Sequence, residues 1–206
     1  TMIKHDWSKH LDVDILDAEG PDLELPIPNG KRIQKNLVGK DIKNYDSMLV
    51  LSHFKGHPMG GFGGALKQLS IGCASSAGKA NIHGAGKPEE MWTTEQNAFL
   101  ESMADAAESV VKLFDGKIVY INVMKNMSVD CVWCAVAGHP CLKDIGILPS
   151  LDPIAIDQAC LDLVSASDVP GRDHLVERIE SRNGVHTVEA AAELGFGSRE
   201  YELIEL

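Results

Sequence analysis

Apolar and polar positions along the chain follow two periods, and the switches between them mark the elements. Met48-Leu49-Val50-Leu51, inside Ser47–Ser52, is a continuous apolar run of strand length, which predicts a central strand buried on both faces. Lys117 to Met124, with Ile118, Val119, Tyr120, Ile121 and Val123, predicts a second strand, and Ile145 to Leu148 a short third one. Phe99, Met103, Ala107, Val110 and Phe114 recur at helical spacing behind a Thr93/Gln96 capping box and stop at Asp115-Gly116. Asp152-Pro153 supplies an N-cap followed by a proline, and Ile156, Cys160, Leu163 and Val164 then share one helical face. Arg172 to Arg182 and Val188 to Leu194 predict two further helices, closed by Asn183-Gly184 and Gly195.

The flanks read less regularly. Val13 to Asp17 and Lys31 to Val38, separated by Pro21, Pro26, Pro28 and Asn29-Gly30, predict short strands or a hairpin in a peripheral layer. Ala65, Leu66, Leu69 and Ile71 can begin a short helix after Gly64, whereas Ala74 to Trp92 lacks a clear period and predicts a long loop or lid. The tail Tyr201 to Leu206 suits an edge strand. Strands alternating with helices predict an α/β fold: a layered, mixed or mostly parallel sheet with flanking helices.

Charge and composition narrow the partners. The net charge is −11, with acidic residues dispersed along the chain, which opposes nonspecific binding to nucleic acid or to an anionic membrane. No apolar run approaches the ~20 residues that span a bilayer, and no basic-then-apolar leader opens the chain, so the sequence reads as cytoplasmic. Five cysteines, with Cys131, Cys134 and Cys141 close together, make a poor disulfide framework and suit reduced thiols with a metal role. Thr1-Met2-Ile3-Lys4-His5 reads as the start of a fragment or processed chain.

The chemistry-bearing residues gather after the first apolar strand, in Ser52-His53-Phe54-Lys55-Gly56-His57-Pro58-Met59 and the glycine-rich run that follows. Ligands of open α/β sheets bind at the carboxyl ends of strands. Gly60, Gly61, Gly63 and Gly64 leading into a helix suit an anion cradle, with Lys79 and His83 on the segment that would close over it; tight turns use the same glycines. The nucleotide motifs fail, because residues 60–64 do not spell GxGxxG and Ala80 follows Gly78-Lys79 where a phosphate loop needs Ser or Thr. His53 and His57 can ligate a metal, exchange protons or simply be hydrogen-bonded, and Lys55 and Lys67 can hold a small anionic ligand.

Asp130 precedes Cys131, Cys134 and Cys141, thiols that suit zinc or an iron–sulfur cluster if His139, Cys73 or another chain completes the set, and equally an ordered loop of free thiols. Cys160 reads as core. Asp157, one position off its apolar stripe, reads as facing a neighbouring loop or as an acid favoured by the helix dipole.

His53-Phe54-Lys55-Gly56-His57, Gly61-Phe62-Gly63-Gly64-Ala65-Leu66-Lys67, Gly72-Cys73-Ala74-Ser75-Ser76-Ala77-Gly78-Lys79, Tyr120-Ile121-Asn122-Val123, Ser128-Val129-Asp130-Cys131, Asp144-Ile145-Gly146-Ile147-Leu148, Asp152-Pro153-Ile154-Ala155-Ile156-Asp157-Gln158-Ala159 and Gly195-Phe196-Gly197-Ser198-Arg199-Glu200-Tyr201 together resemble a prokaryotic family catalogued as a domain of unknown function. Many of its members are labelled iron–sulfur or ferredoxin-like. The resemblance implies an iron–sulfur cluster or a metal ion (zinc, iron or nickel) as cofactor and a ferredoxin-type redox partner, and it leaves an oligomer open.

It also implies that residues 1–206 are a single α/β domain, the C-terminal part of a longer protein. Cluster-binding members carry a cysteine-rich ferredoxin insert after the position of Lys79, whereas Ala80 to Trp92 is short and has no cysteine. The family's Asp-Cys-x-Cys pattern becomes Cys131 and Cys134 here. A remoter similarity, to nickel-dependent lactate racemase, implies His53, His57, Lys67 and His83 as a chemical set. Two functions follow: a metal- or cofactor-dependent enzyme, with His53, Lys67 and Asp130 converging on one pocket, or a non-catalytic docking scaffold with an exposed apolar patch.

Overall fold

The computed structural model describes residues 6, 9–18, 22–130, 140 and 142–206. A peripheral hairpin pairs β1 (Leu23–Pro26) antiparallel with β2 (Lys35–Val38), Leu23 opposite Val38. Val13 to Asp17 contributes turns and no strand: Asp12, Asp14 and Asp17 interleave its apolar residues, and Val13 and Ile15 stay exposed. The principal sheet orders β3 (Met48–His53), β6 (Ile118–Met124) and β7 (Gly146–Ser150), parallel between β3 and β6 and antiparallel between β6 and β7. It is therefore a mixed sheet, flanked by helices. Between its first two strands in sequence lie a small antiparallel hairpin, β4 (Lys55–His57) with β5 (Gly61–Gly63), and the helices α1 (Ala65–Lys67), α2 (Ser76–His83) and α3 (Gln96–Phe114).

One face of the principal sheet is core. Val50, Ile118 and Tyr120 are buried with Ile154, Ile156 and Cys160 of α4 (Pro153–Ala166). The other face is open. Leu49 and Leu51 are 61% and 59% exposed, opposite Val119 and Ile121, and Ile147, opposite Val123, is 58% exposed. The expectation of a strand buried on both faces is therefore corrected: a continuous apolar run makes both faces apolar, but only a covering layer makes both buried.

The long helix α3 is buried almost all round, including Glu101, Asp105 and Glu108. Its N-cap is Glu95, whose carboxylate accepts from the Asn97 and Ala98 N–H groups at 2.9 and 2.8 Å, in place of the expected Thr93. It ends at Asp115 and Gly116, both at positive φ. Its buried acids anchor the β1–β2 connection. Asp105 accepts from the backbone N–H groups of Lys31, Arg32 and Ile33 at 2.9, 2.7 and 3.0 Å, and Glu101 gathers Lys31, Arg32 and His186.

Ala74 to Trp92, expected as a lid, contains α2. Ser75 caps it by accepting from the Gly78 N–H at 3.1 Å, and the helix packs on β2 because Gly78 has no side chain: a Cβ there would lie 2.0 Å from the Leu37 carbonyl oxygen. Small residues that leave a weak periodic signal are the ones that permit this close approach. Helices α5 (Arg172–Ser181) and α6 (His186–Leu194) complete the fold. Tyr201 to Leu206 forms no strand; it walls a cleft of about 720 Å³ with β7 and α4, and the Tyr201 hydroxyl donates to Asp162 at 2.8 Å. Among the described residues, no helix is long and apolar enough to cross a membrane.

Candidate functional site

The turns after β3 and β6 meet at Gly56. Its N–H donates to the Ser128 carbonyl at 2.8 Å, and a Cβ at this position would fall 1.8 Å from the Val129 carbonyl oxygen, so the two segments touch backbone to backbone. This places β4, and His57 at its end, beside the segment that carries Asp130. Gly61, at φ +79°, turns the chain back into β5 and packs against Gly184, whose Cα would lie 2.8 Å from a Cβ added at Gly61. Gln96 ties this corner together by donating to the Met59 and Arg182 carbonyls at 2.8 and 2.9 Å.

The helix N-terminus after Gly64 is occupied by the protein itself. Asp157 of α4 is fully buried and accepts from the Ala65 N–H at 2.8 Å and the Leu66 N–H at 3.0 Å, while Asn122 Nδ2 of β6 donates to its Oδ1 at 2.7 Å. The anion cradle expected from Gly60, Gly61, Gly63 and Gly64 is thus closed at this end, because an internal carboxylate satisfies the free N–H groups that a ligand would have used. Burial pushes the Asp157 carboxyl up to about 6, against the pull of its three donors.

The charge of the site comes from side chains. A Cβ at Gly63 would make ordinary contact with Lys67 Cδ at 3.6 Å and Lys55 Nζ at 3.9 Å, so both lysines run over this glycine. His57 lies beside them. Burial first, then the positive charges of Lys67 and Lys55, hold its pKa down at about 3. Its Nδ1 accepts from the Met59 and Gly60 N–H groups at 3.2 and 3.1 Å, which places the proton of the neutral ring on Nε2. His83, at the end of α2, is also held neutral, by burial and by Lys67. Its Nδ1 lies 2.7 Å from the Lys79 carbonyl oxygen and must donate to it, leaving Nε2 as the acceptor, and its ring stacks on Phe99 with centroids 4.8 Å apart. One imidazole therefore offers a donor and the other an acceptor, with Lys67 acting on both.

Asp130 is engaged by Arg178 of α5, whose Nε and Nη2 lie 2.9 and 3.2 Å from its two oxygens. The positive charge of Arg178 also adds a little to the suppression of the His57 imidazolium.

The residues singled out in sequence thus divide. Lys55, His57, Lys67, His83 and Gly63 come together, and Asp130 joins at the border through Arg178. Gly61 and Gly64 shape the backbone, their space being filled by Gly184 and Asp157, whereas a Cβ at Gly60 would make ordinary contact with the Phe62 carbonyl at 3.4 Å, Met103 at 3.5 Å and His57 at 3.8 Å. His53 is exposed and its Nε2 lies 2.7 Å from the Lys125 carbonyl oxygen, and Lys79 pairs with Asp17 at 3.5 Å. Cys131, Cys134, His139 and Cys141 lie outside the described residues. Among the described residues, no group of three or more His, Cys, Asp or Glu side chains is arranged to hold a metal ion. Arg178 completes the surroundings without any sequence signal, and Asn122 and Phe99, seen in sequence only as part of a family-like strand motif and of an apolar helix stripe, acquire these roles from their neighbours.

Fold and site define an α/β protein with a mixed sheet and a lysine–histidine cluster at the strand ends. The family model for Domain of unknown function (DUF362) matches residues 5–162, more than half of the chain, and the protein belongs to that family. No curated protein and no solved structure matches it.

Proposed function

We propose that the lysine–histidine cluster binds a small anionic cofactor or substrate, with the imidazoles as its proton-handling groups. The observation that carries this reading is the convergence of Lys55 and Lys67 over Gly63 beside two histidines held neutral. Two lysines over one glycine, with two buried rings beside them, make a local positive field that a small anion would complement. His57 Nε2–H would donate to the ligand, and His83 Nε2 would accept a proton from it.

Calorimetric titration with inorganic phosphate and with a small dicarboxylate tests the reading. Binding that weakens at least tenfold in Lys67→Met and Lys55→Met supports it. No binding at millimolar concentration, or equal affinity in the variants, overturns it.

A second reading, the non-catalytic docking module, is favoured by one observation: the apolar sheet face bearing Leu49, Leu51, Val119 and Ile147 stands open. Iron–sulfur or other metal chemistry enters through Cys131, Cys134 and Cys141, and metal content of anaerobically purified protein, native against Cys131→Ser, tests that part separately.

A further inference from the structure

We infer that Asp157 is the positioning residue of the anion site: with Asn122 it clamps the first turn of α1 and thereby sets Lys67 against His57 and His83. The inference rests on the anion-site reading for its functional meaning, but its geometry stands by itself. Helix α1 runs straight on into a π-type turn at Gln68–Gly72, the whole helical run ending by Cys73, and its N-cap, Gly64, has no side chain with which to hold the end. A helix so short does not stabilise itself. The hold comes from a carboxylate more than ninety positions away in sequence, which binds the N–H groups of Ala65 and Leu66, the two residues directly before Lys67.

Several features belong to this clamp. Gly64 is open on its Cα because a Cβ would lie 2.3 Å from Asp157 Oδ1. Asn122 presents its amide N–H₂ to the carboxylate, with the Cys160 thiol also beside that amide at 3.5 Å. Without Asp157, two buried N–H groups lose their acceptor, and the turn must rotate or admit water to satisfy them. Lys67 moves with the turn. The hydrogen bonds of Asp157 go to the turn and to Asn122, so its effect on the site is transmitted through the backbone.

Nuclear magnetic resonance titration of the histidine rings in the full chain decides the matter without any ligand. Lys67→Met is expected to raise the pKa of His57 and of His83 by roughly half a unit or more, since a nearby like charge is removed. Asp157→Ala is expected to raise both in the same direction. Asp157→Asn keeps one amide oxygen for a single N–H of the turn and takes the acceptor from the other, and it is expected to shift both rings in the same direction by a smaller amount.

Native pKa values for His57 and His83 in Asp157→Ala would overturn the inference. So would native values for both rings in Asp157→Asn, which also decides the case if Asp157→Ala does not fold. Failure of phosphate and dicarboxylate to bind the native protein, with these histidine shifts present, would reject the anion site and leave the clamp standing.

Discussion

The carboxylate of Asp157 occupies the space that a side chain on Gly64 would need, with Oδ1 2.3 Å from the ideal Cβ position. Gly64→Ala must therefore displace the acceptor of two backbone N–H groups. We expect it to cost about 2–4 kcal/mol in chemical denaturation. Gly63→Ala, one residue earlier, meets only Lys67 Cδ at 3.6 Å and Lys55 Nζ at 3.9 Å. Its stability should change by less than about 1 kcal/mol, while phosphate affinity falls because the lysines are crowded. Equal costs for the two alanines would contradict the assigned contacts.

Two buried groups give the unfolding free energy opposing pH slopes. His57 has its folded pKa lowered from 6.5 to about 3, so its contribution is complete above pH 6.5 and is lost as pH falls toward 3. Asp157 has its folded pKa raised from 3.8 to about 6, so its contribution is complete below 3.8 and is lost as pH rises through 6. Compared with the native protein, urea melts between pH 4 and 7 should therefore steepen toward acid instability in Asp157→Asn, where the slope of Asp157 no longer opposes that of His57. In His57→Gln the fall in stability toward acid should instead be shallower than in the native protein.

An anion bound as proposed between Lys55, Lys67 and the two rings would stabilise imidazolium. Binding of phosphate or dicarboxylate at pH 5 should take up protons, and binding at pH 8 should not. Calorimetry in two buffers of different ionisation enthalpy measures the uptake directly. Loss of the pH 5 uptake in His57→Gln or His83→Gln would identify the ring responsible.

Glu101 is the buried charge on which Lys31, Arg32 and His186 converge. Burial would raise its pKa, but the hydrogen bonds from Lys31, Arg32 and His186 outweigh it and hold the carboxyl at about 2. Glu101→Gln should cost about 3 kcal/mol or more, as removal of one member of a buried ion cluster does. The folded pKa is depressed, so the stability is present above 4.5 and lost as pH falls toward 2. The measurement is the difference between native and variant unfolding free energies at pH 7 and at pH 3, which should shrink at the lower value.

The sheet's two faces should respond differently to the same kind of truncation. Leu51→Ser, on the open face, is expected to change stability by less than about 1 kcal/mol, whereas Val50→Ala, on the buried face, should cost about 1–3 kcal/mol. A large cost at Leu51 would mean that something covers this face.

The strands at Met48 and Ile118, the helix through Phe99 to Phe114 and the Asp152-Pro153 helix start were legible from local pattern, because period, caps and turn residues act within a few residues of where they stand. So was the concentration of lysine, histidine and glycine after the first strand. Local pattern failed where the deciding partner was distant. It took the run at Leu49 and Leu51 for a doubly covered strand, since a continuous apolar run does not report whether a second layer exists. It took the Gly64 helix end for an open cradle, since nothing nearby announces that Asp157 fills it. It also passed over Arg178 and Asn122. Their meaning depends on pairing across the fold, with Asp130 and Asp157 as partners, and the short-range preferences of a chain contain no information about which buried carboxylate will meet which donor. By itself the sequence determined an α/β layering and the stretch that carries the reactive side chains; the tertiary structure alone decided which of those side chains share a charge field, because that depends on distances through space.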